Sequence, residues 1–393
     1  MGKKLTIVGK GTVGCLSLAQ FLSRTEYEID WVFDHSVSTT SVGEGTTMTP
    51  PKVMSSSLGW SSADLMRLGG TPKQGILKTD WGNSKEFFHP FPLGSTGIHL
   101  SALKFQEAVY SQLKDNPRVS VRDDNIGSAN DVDSDFVLMC TGSPVGTEDY
   151  IELTGVPVNA CYVTQCYWDN PEFDYTLTLA MPHGWVFGIP LKERCAIGYM
   201  YNSDITSLDE VKADVQAVFD RYCLKPSDTT NHLKFSSYRR ANNFDGRCVY
   251  NGNASFFLEP LEATSTTNSC SIVSMAMNYW CDGNSDKYNG LYVDEVESVE
   301  TMIAMHYASG SSFNTDFWDF ANERCSKRLE ELFKKETSFA KLCYASLKGI
   351  PTGVVEAGTW GAKSCRLNAT KLGINDTILS LGDKFIANSE GIH

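Results

Sequence analysis

The first apolar run, Leu5-Thr6-Ile7-Val8, is short and unbroken, the pattern of a strand buried on both faces. A glycine turn, Gly9-Lys10-Gly11-Thr12-Val13-Gly14, follows it, then an apolar stretch at helical spacing to Leu22 and a second strand-like run from Ile29 to Asp34. A further buried strand, Asp135 to Cys140, ends in Thr141-Gly142. Strand, turn, helix and strand in this order predict an α/β fold with an open, mostly parallel, Rossmann-like sheet. From Trp168 to Met200 the period changes. Tyr175 to Leu179, Gly184 to Leu191 and Ala196 to Tyr201 alternate large residues between turns, which predicts an added antiparallel meander over about 151–205. At strand spacing Trp185 and Phe187 share a face, as core aromatics commonly do. A hydroxyl-rich run, Ala263 to Ser269, precedes a helix-like segment from Ile272 to Trp280. From about Val293 the pattern is mostly helical, with Leu329, Leu332 and Phe333 at helix spacing among Lys and Glu. No repeat or linker divides the chain, and the expected organisation is 1–275 as one α/β module and 276–393 as a helical C-terminal part.

With 393 residues and 41% hydrophobic content the chain can bury a sizeable core. Its 34 Lys plus Arg against 47 Asp plus Glu leave a formal charge of -13, which repels nucleic acid and anionic membrane surfaces. The chain enters its first strand at once and has no apolar run long enough for a bilayer, so a cytoplasmic location is expected. Twelve cysteines without Cys-x-x-Cys spacing suggest reduced, buried residues; no metal site is expected.

The glycine turn carries the first chemical signal. In a strand–turn–helix context, Gly9 makes the tight bend, Gly11 admits a pyrophosphate close to backbone, and Gly14 lets helix pack on strand. Asp34 stands where a ribose-binding acid is expected, although a turn carboxylate reads the same way. The small-residue loop Ser41-Val42-Gly43-Glu44-Gly45-Thr46-Thr47 can lie close to a planar cofactor. Two charges sit among apolar, turn-forming neighbours: Lys73 in Thr71-Pro72-Lys73-Gln74-Gly75-Ile76, and Glu262 in Phe256-Phe257-Leu258-Glu259-Pro260-Leu261-Glu262-Ala263-Thr264. Such charges are costly unless paired or used. The hydroxyl run after Glu262 either caps the following helix or leaves its N–H groups to an anion.

These segments together resemble the flavin-dependent halogenases, the tryptophan halogenase family, in order from the N-terminus to about residue 320. Gly9-x-Gly11-Thr12-x-Gly14 is similar to the family's flavin turn, Gly43-Glu44-Gly45-Thr46 to its Gly-Glu-Ala-Thr loop, Thr71 to Ile76 to the segment of its active lysine, and Asn83 to Phe91 to a stretch lining its substrate pocket. Cys140-Thr141-Gly142 resembles its second flavin strand, Gly184 to Pro190 its Trp-x-Trp-x-Ile-Pro signature, and Glu259-Pro260-Leu261-Glu262-Ala263-Thr264 its Glu-Pro-Leu-Glu-Ser-Thr segment. Met302 to Tyr307 and Asp316-Phe317-Trp318 look like traits of its helical part. Phe187, Ala263 and Ser265 depart from the pattern, standing for tryptophan, serine and glycine.

The resemblance implies a Rossmann-like FAD-binding domain and a helical, substrate-covering part. It implies that reduced FAD, O2 and a halide (chloride, bromide or iodide) yield hypohalous acid, which passes to Lys73 for halogenation of a small electron-rich aromatic substrate. Glu262 would orient Lys73 and help take the arene proton, Thr264 and Ser265 would hold the halide, and His89 and Phe91 would grip the ring. FAD would lie against Gly9, Gly11, Thr12, Val13, Gly14, Asp34, Glu44, Gly45, Thr46 and Gly142, walled by Trp185 and Phe187. A separate flavin reductase would supply FADH2, and homo-oligomer formation stays open. The chain is short for the family at its C-terminus, which implies an open pocket. The alternatives are a single-component flavin hydroxylase, with no use for Lys73, and a catalytically silent flavin-binding protein.

Overall fold

The computed structural model describes residues 2–37, 44–142, 144, 149–168, 171–352 and 360–387. The strand Lys4–Val8 pairs in parallel with Glu28–Phe33 on one side and Phe136–Met139 on the other, setting Ile7 opposite both Trp31 and Leu138. Val119–Asp123 and Cys248–Tyr250 continue the parallel order outward, and Phe244–Asp245 adds an antiparallel edge. Side-chain alternation explains why these runs are apolar throughout. Leu5, Ile7, Trp31 and Leu138 enter the main core with the helix Thr12–Arg24, while Val8, Val32, Val137 and Met139 pack on the opposite face with Ile126 and Val132.

The meander is part of a larger sheet than its sequence pattern suggests. Its seven strands run in the order Lys225–Lys234, Ala160–Tyr167, Arg194–Tyr201, Gly184–Pro190, Thr176–Met181, Gly75–Thr79, Glu86–Pro90. The pair Gly75–Thr79 with Thr176–Met181 is parallel and joins segments far apart in sequence. Trp185 and Phe187 enter the main core from one face, and Val186 enters a second core covered by the helix Leu208–Arg221 on the other. A small sheet places Gly97–Leu100 between Glu44–Gly45 and Thr71–Lys73, with His99 opposite both Gly45 and Thr71. The cofactor-loop candidate and the Lys73 segment therefore share one strand. Ser41, Val42 and Gly43 lie outside the described residues.

The C-terminal part comprises the helices Ser265–Asp282, Ser285–Ala308, Asp316–Lys334, Ser338–Lys348, Ala362–Leu372 and Asn375–Phe385. The first of these starts earlier than the apolar pattern indicates, because the hydroxyl-rich run forms its opening turns rather than a cap. Ser269 Oγ donates to the carbonyl of Ser265 at 2.8 Å, and Thr267 hydrogen-bonds Thr47. These polar residues face inward, where a hydrophobicity pattern has no signal. All twelve cysteines are unbridged, and no described helix is long and apolar enough to cross a membrane.

Candidate functional site

The glycine turn is shaped by close backbone contacts. Gly9 holds φ +113°, and a Cβ there would lie 2.3 Å from the Cys140 carbonyl oxygen; a Cβ at Gly14 would lie 2.2 Å from the Gly9 carbonyl oxygen. Any side chain at either position would push the helix off the sheet. Trp31 Nε1 donates to that same Gly9 carbonyl at 3.0 Å and fixes the turn. Gly11 and Gly142 instead open onto space, with nothing within 4 Å of a built Cβ. Gly11 is the N-cap of Thr12–Arg24, with no side-chain cap and no acid in the first turn, so the helix presents N–H groups at that opening. Thr12 Oγ1 accepts from Gln106 Nε2 at 3.4 Å, and Val13 packs against Gly252. Asp34 follows the second strand, where its Oδ1 accepts from the backbone N and the Oγ of Ser36 at 2.7 and 2.6 Å. That oxygen has the turn role that its sequence context also allowed.

The strand Thr71–Lys73 of the small sheet contributes to a buried polar compartment. Lys73 is fully buried, and its Nζ has no hydrogen-bond partner among the described residues. It sits 5.5 Å from the Phe91 ring centroid and 3.6 Å from where a Cβ on Gly45 would be. Burial, against the attraction of Glu262 and with the repulsion of Lys78, lowers its pKa to about 8. Thr46 accepts from the Ile98 N–H at 2.9 Å, and the bond between Thr47 and Thr267 ties this loop to the helix that follows Glu262.

The lysine that holds Glu262 is Lys78, not Lys73, which corrects the expected pairing. Lys78 Nζ donates to Glu262 Oε1 at 2.5 Å, to Asn368 Oδ1 at 2.7 Å and to His306 Nε2 at 2.7 Å. His306 Nδ1 faces the Met302 carbonyl at 2.8 Å, so it carries the ring proton and leaves Nε2 as the acceptor. Trp360 Nε1 donates to Glu262 Oε2 at 3.0 Å, occupying the second oxygen. Burial raises the Glu262 pKa, but the Lys78 cation, His306 and His89 outweigh it and hold the carboxyl at about 2. The physical reason for the swap is strand phase. Lys78 is two residues beyond Ile76 on the strand Gly75–Thr79 and turns inward with it.

His89 lies across the compartment. Its Nε2 bonds Ser364 Oγ at 2.9 Å, its Nδ1 has no hydrogen-bond partner and lies 3.9 Å from Glu262 Oε2, and its ring meets Trp360 edge-on with centroids 5.2 Å apart. Phe91 is buried at the Lys73 end. The expectation of an open pocket is overturned. Trp360 and the helix Ala362–Leu372 supply Ser364 and Asn368 as a lid, and Lys73, Lys78, His89, Glu262 and His306 are each no more than 1% exposed.

Trp185 Nε1 donates to Glu259 Oε2 at 3.1 Å, with Phe187 beside it at a centroid distance of 6.1 Å. Thr264 is the N-cap of Ser265–Asp282 without a side-chain cap, following Ala263 at φ +54°. The first-turn N–H groups there are free of a capping side chain. Asn268, one turn on, is buried with neither amide atom bonded among the described residues.

The sequence reading missed Lys78, His306, Trp360, Ser364, Asn368 and Asn268 as parts of the site. Lys78 left a signal, a lysine in phase with a buried isoleucine, and His306 lay in a segment already noted. The others are supplied by tertiary packing and left none.

The fold and site together place this chain in a family: the tryptophan halogenase family profile matches residues 4–130 and 129–344, and the chain belongs to that family. Among its relatives is tryptophan 7-halogenase KtzQ of Kutzneria sp. (strain 744), 27% identical over 155 residues, which are 38% of this chain and 28% of the relative. The matched stretch thus spans little more than a quarter of that protein. In fold the chain is similar to BrvH, a flavin-dependent halogenase from Brevundimonas sp. BAL3, with a TM-score of 0.76 at 21% identity over 97% of this chain and 94% of that one. It is also similar to a tryptophan halogenase from Shewanella frigidimarina NCIMB 400, with a TM-score of 0.77 at 17% identity over 98% and 93%.

Proposed function

We propose that this chain is a flavin-dependent halogenase acting on a small, electron-rich aromatic substrate, and that Lys73 is its reactive amine. The observation that carries the reading is the Lys73 Nζ, fully buried yet without a hydrogen-bond partner among the described residues, close to Gly45. An orphaned buried amine is costly and is retained where a reactant meets it.

The residues present fit FAD. The open faces of Gly11 and Gly142, and the uncapped N–H groups of the Thr12–Arg24 helix, form a cradle for a pyrophosphate. The Gly9–Gly14 turn would hold it, with Asp34, Glu44, Gly45 and Thr46 along its length. When bound in reduced form, FAD supplies the means for O2 to oxidise a halide to hypohalous acid. Thr264 and Ser265 offer backbone N–H groups at a helix start, where an anion is favoured. Trp185 and Phe187, both buried, would keep the organic substrate apart from the cofactor side.

Lys73 then meets hypohalous acid with the lone pair of a neutral amine, either hydrogen-bonding it or carrying the halogen with release of water. His89 and Phe91 flank the arene. Glu262, with its carboxyl held at about 2, is a weak base near neutral pH and acts through its charge, which favours a positively charged ring in the transition state. A separate flavin reductase delivers FADH2. A flavin hydroxylase has no use for a buried amine at this place.

The test is Lys73→Ala, assayed with chemically reduced FAD, halide and a panel of arenes by mass spectrometry. Halogenated product is expected to fall by about 10²–10⁴-fold, with FAD binding unchanged by fluorescence titration. Product at the wild-type rate would refute the role of Lys73.

A further inference from the structure

Among the described residues the compartment holds two lysines for one carboxylate, and their bonding is unequal. Lys78 Nζ meets three acceptors, Glu262 Oε1, His306 Nε2 and Asn368 Oδ1, at 2.5, 2.7 and 2.7 Å. An ammonium has three donors and no lone pair, and here each donor has its acceptor. Asn368 is oriented for this by its own Nδ2, which donates to the Ser364 carbonyl at 3.0 Å. Lys73 Nζ has no such bond. The two side chains lie on different sheets, so each is held in its place by backbone pairing rather than by the other.

Resting on the reading of Lys73 as the reactive amine, we infer that Lys78 is a positioning residue: an ammonium whose three donors take up Glu262, Asn368 and His306, so that among the described residues Lys73 is left without a hydrogen-bonded counter-ion and is the readier of the two to give up its proton. The argument is one of charge balance in a dry space. One carboxylate compensates one ammonium, and a second ammonium there would be buried without a partner. The other titratable groups facing Lys73 do not change the balance. His89, on the strand Glu86–Pro90, is lowered to about 4 by burial, and His99, on Gly97–Leu100, is pushed well below its usual value by burial and by Lys73. His99 is bonded through Nδ1 to Thr71 and through Nε2 to Thr176. His306 is lowered to about 3 by burial and by Lys78. All three are neutral near pH 7, leaving Glu262 and the two lysines as the charges that matter among the described residues.

The same bonds close the pocket. Asn368 and Ser364 belong to the helix Ala362–Leu372, and Trp360, which shares Glu262 with Lys78, precedes it. Lys78 thereby couples the seating of that helix to the ionisation of Lys73. A halogen acceptor must have a lone pair, so this arrangement makes Lys73 the acceptor and excludes Lys78 while its three bonds are intact.

The experiment is a pH titration of protein labelled at lysine Cε with 13C, read by NMR, with the two signals assigned from Lys73→Arg and Lys78→Arg. Lys73 is expected to deprotonate first, near pH 8, and Lys78, which burial also lowers but which Glu262 holds by a direct hydrogen bond, at higher pH. Lys78 deprotonating before Lys73 would overturn the inference. In Lys78→Met, with folding checked by circular dichroism, Glu262 becomes free to pair with Lys73, whose midpoint is expected to rise by about 1–3 pH units. An unchanged midpoint would also overturn it. Should the Met variant not fold, the titration order in the wild type decides alone. Failure to halogenate any arene would sink the proposed activity without touching this order, and a reversed order would sink the assignment of Lys78 without touching the activity.

Discussion

Glu259 and Glu262 stand three residues apart on one loop, both no more than 2% exposed, and their surroundings drive their carboxyls in opposite directions. Glu259 is raised to about 8, because burial dominates and its partners, the Tyr307 hydroxyl at 2.8 Å and the Trp185 indole at 3.1 Å, are neutral donors. Glu262 is held at about 2, because burial is outweighed by the Lys78 cation and the histidines around it. Near pH 7 the first is a neutral acid bonded by Trp185 and Tyr307, and the second is an anion in the lysine compartment. Depth alone does not set charge in this interior; a cationic partner does. The two compartments meet at Trp185 and Trp81, whose ring centroids are 6.4 Å apart.

Removing the anion tests the charged side hardest. Glu262→Ala leaves Lys78 buried with an uncompensated ammonium, and such breaks cost about 3–5 kcal/mol. Urea unfolding at pH 7 should show this loss, and Lys78→Met combined with Glu262→Ala should recover part of it, since the stranded charge is then gone. A loss under about 1 kcal/mol would mean that the pair is bathed in water, and the contrast with Glu259 would fail.

This contrast was only half legible in the sequence. The glycine turn, the parallel strands and the segment from Glu259 to Thr264 could be read because local spacing fixes them: Gly9 and Gly14 are required by contacts within one turn. Lys73 and Glu262 stood out as charges among apolar neighbours, and both are buried in one compartment. Their pairing could not be read. Which lysine reaches Glu262 depends on the parallel alignment of Gly75–Thr79 with Thr176–Met181, a contact between strands about a hundred residues apart that leaves no turn signal. The lid was hidden for a similar reason. Ser364 and Asn368 lie on the helix Ala362–Leu372, and Trp360 just before it, in a stretch where polar and charged residues are interspersed, and only packing shows that one side of that helix faces inward. The opening turns of Ser265–Asp282 were missed because inward-facing hydroxyls do not register as a core face.

On the neutral side, Tyr307→Phe removes one of the two hydrogen bonds to Glu259 Oε2 while keeping the ring. A single neutral hydrogen bond contributes about 1 kcal/mol, so a loss of that size is expected in urea at pH 6. A loss matching that of Glu262→Ala would show that Glu259 is also an anion there, contrary to the assignment.

The subtlest effect is the dependence of stability on pH. Glu262 has a folded-state pKa below its ordinary 4.5, so its contribution is present above pH 4.5 and is lost as the pH falls toward 2. Glu259 has the opposite sign. Its folded-state pKa lies above 4.5, so as the pH rises from 4.5 to about 8 the unfolded chain releases a proton that the folded chain retains, and stability falls. Glu259→Gln keeps the shape of the neutral acid and cannot ionise. Near pH 4.5 the variant and the wild type should be close in stability, and the variant should gain on the wild type steadily up to pH 8, with all other titrating groups cancelling in the difference. Unfolding free energies of both proteins at pH 5, 6.5 and 8, taken as about the span of the transition, measure that divergence. Parallel curves would show that Glu259 is ionised in the folded protein, and a variant that loses ground as the pH rises would show that an unseen cation compensates it.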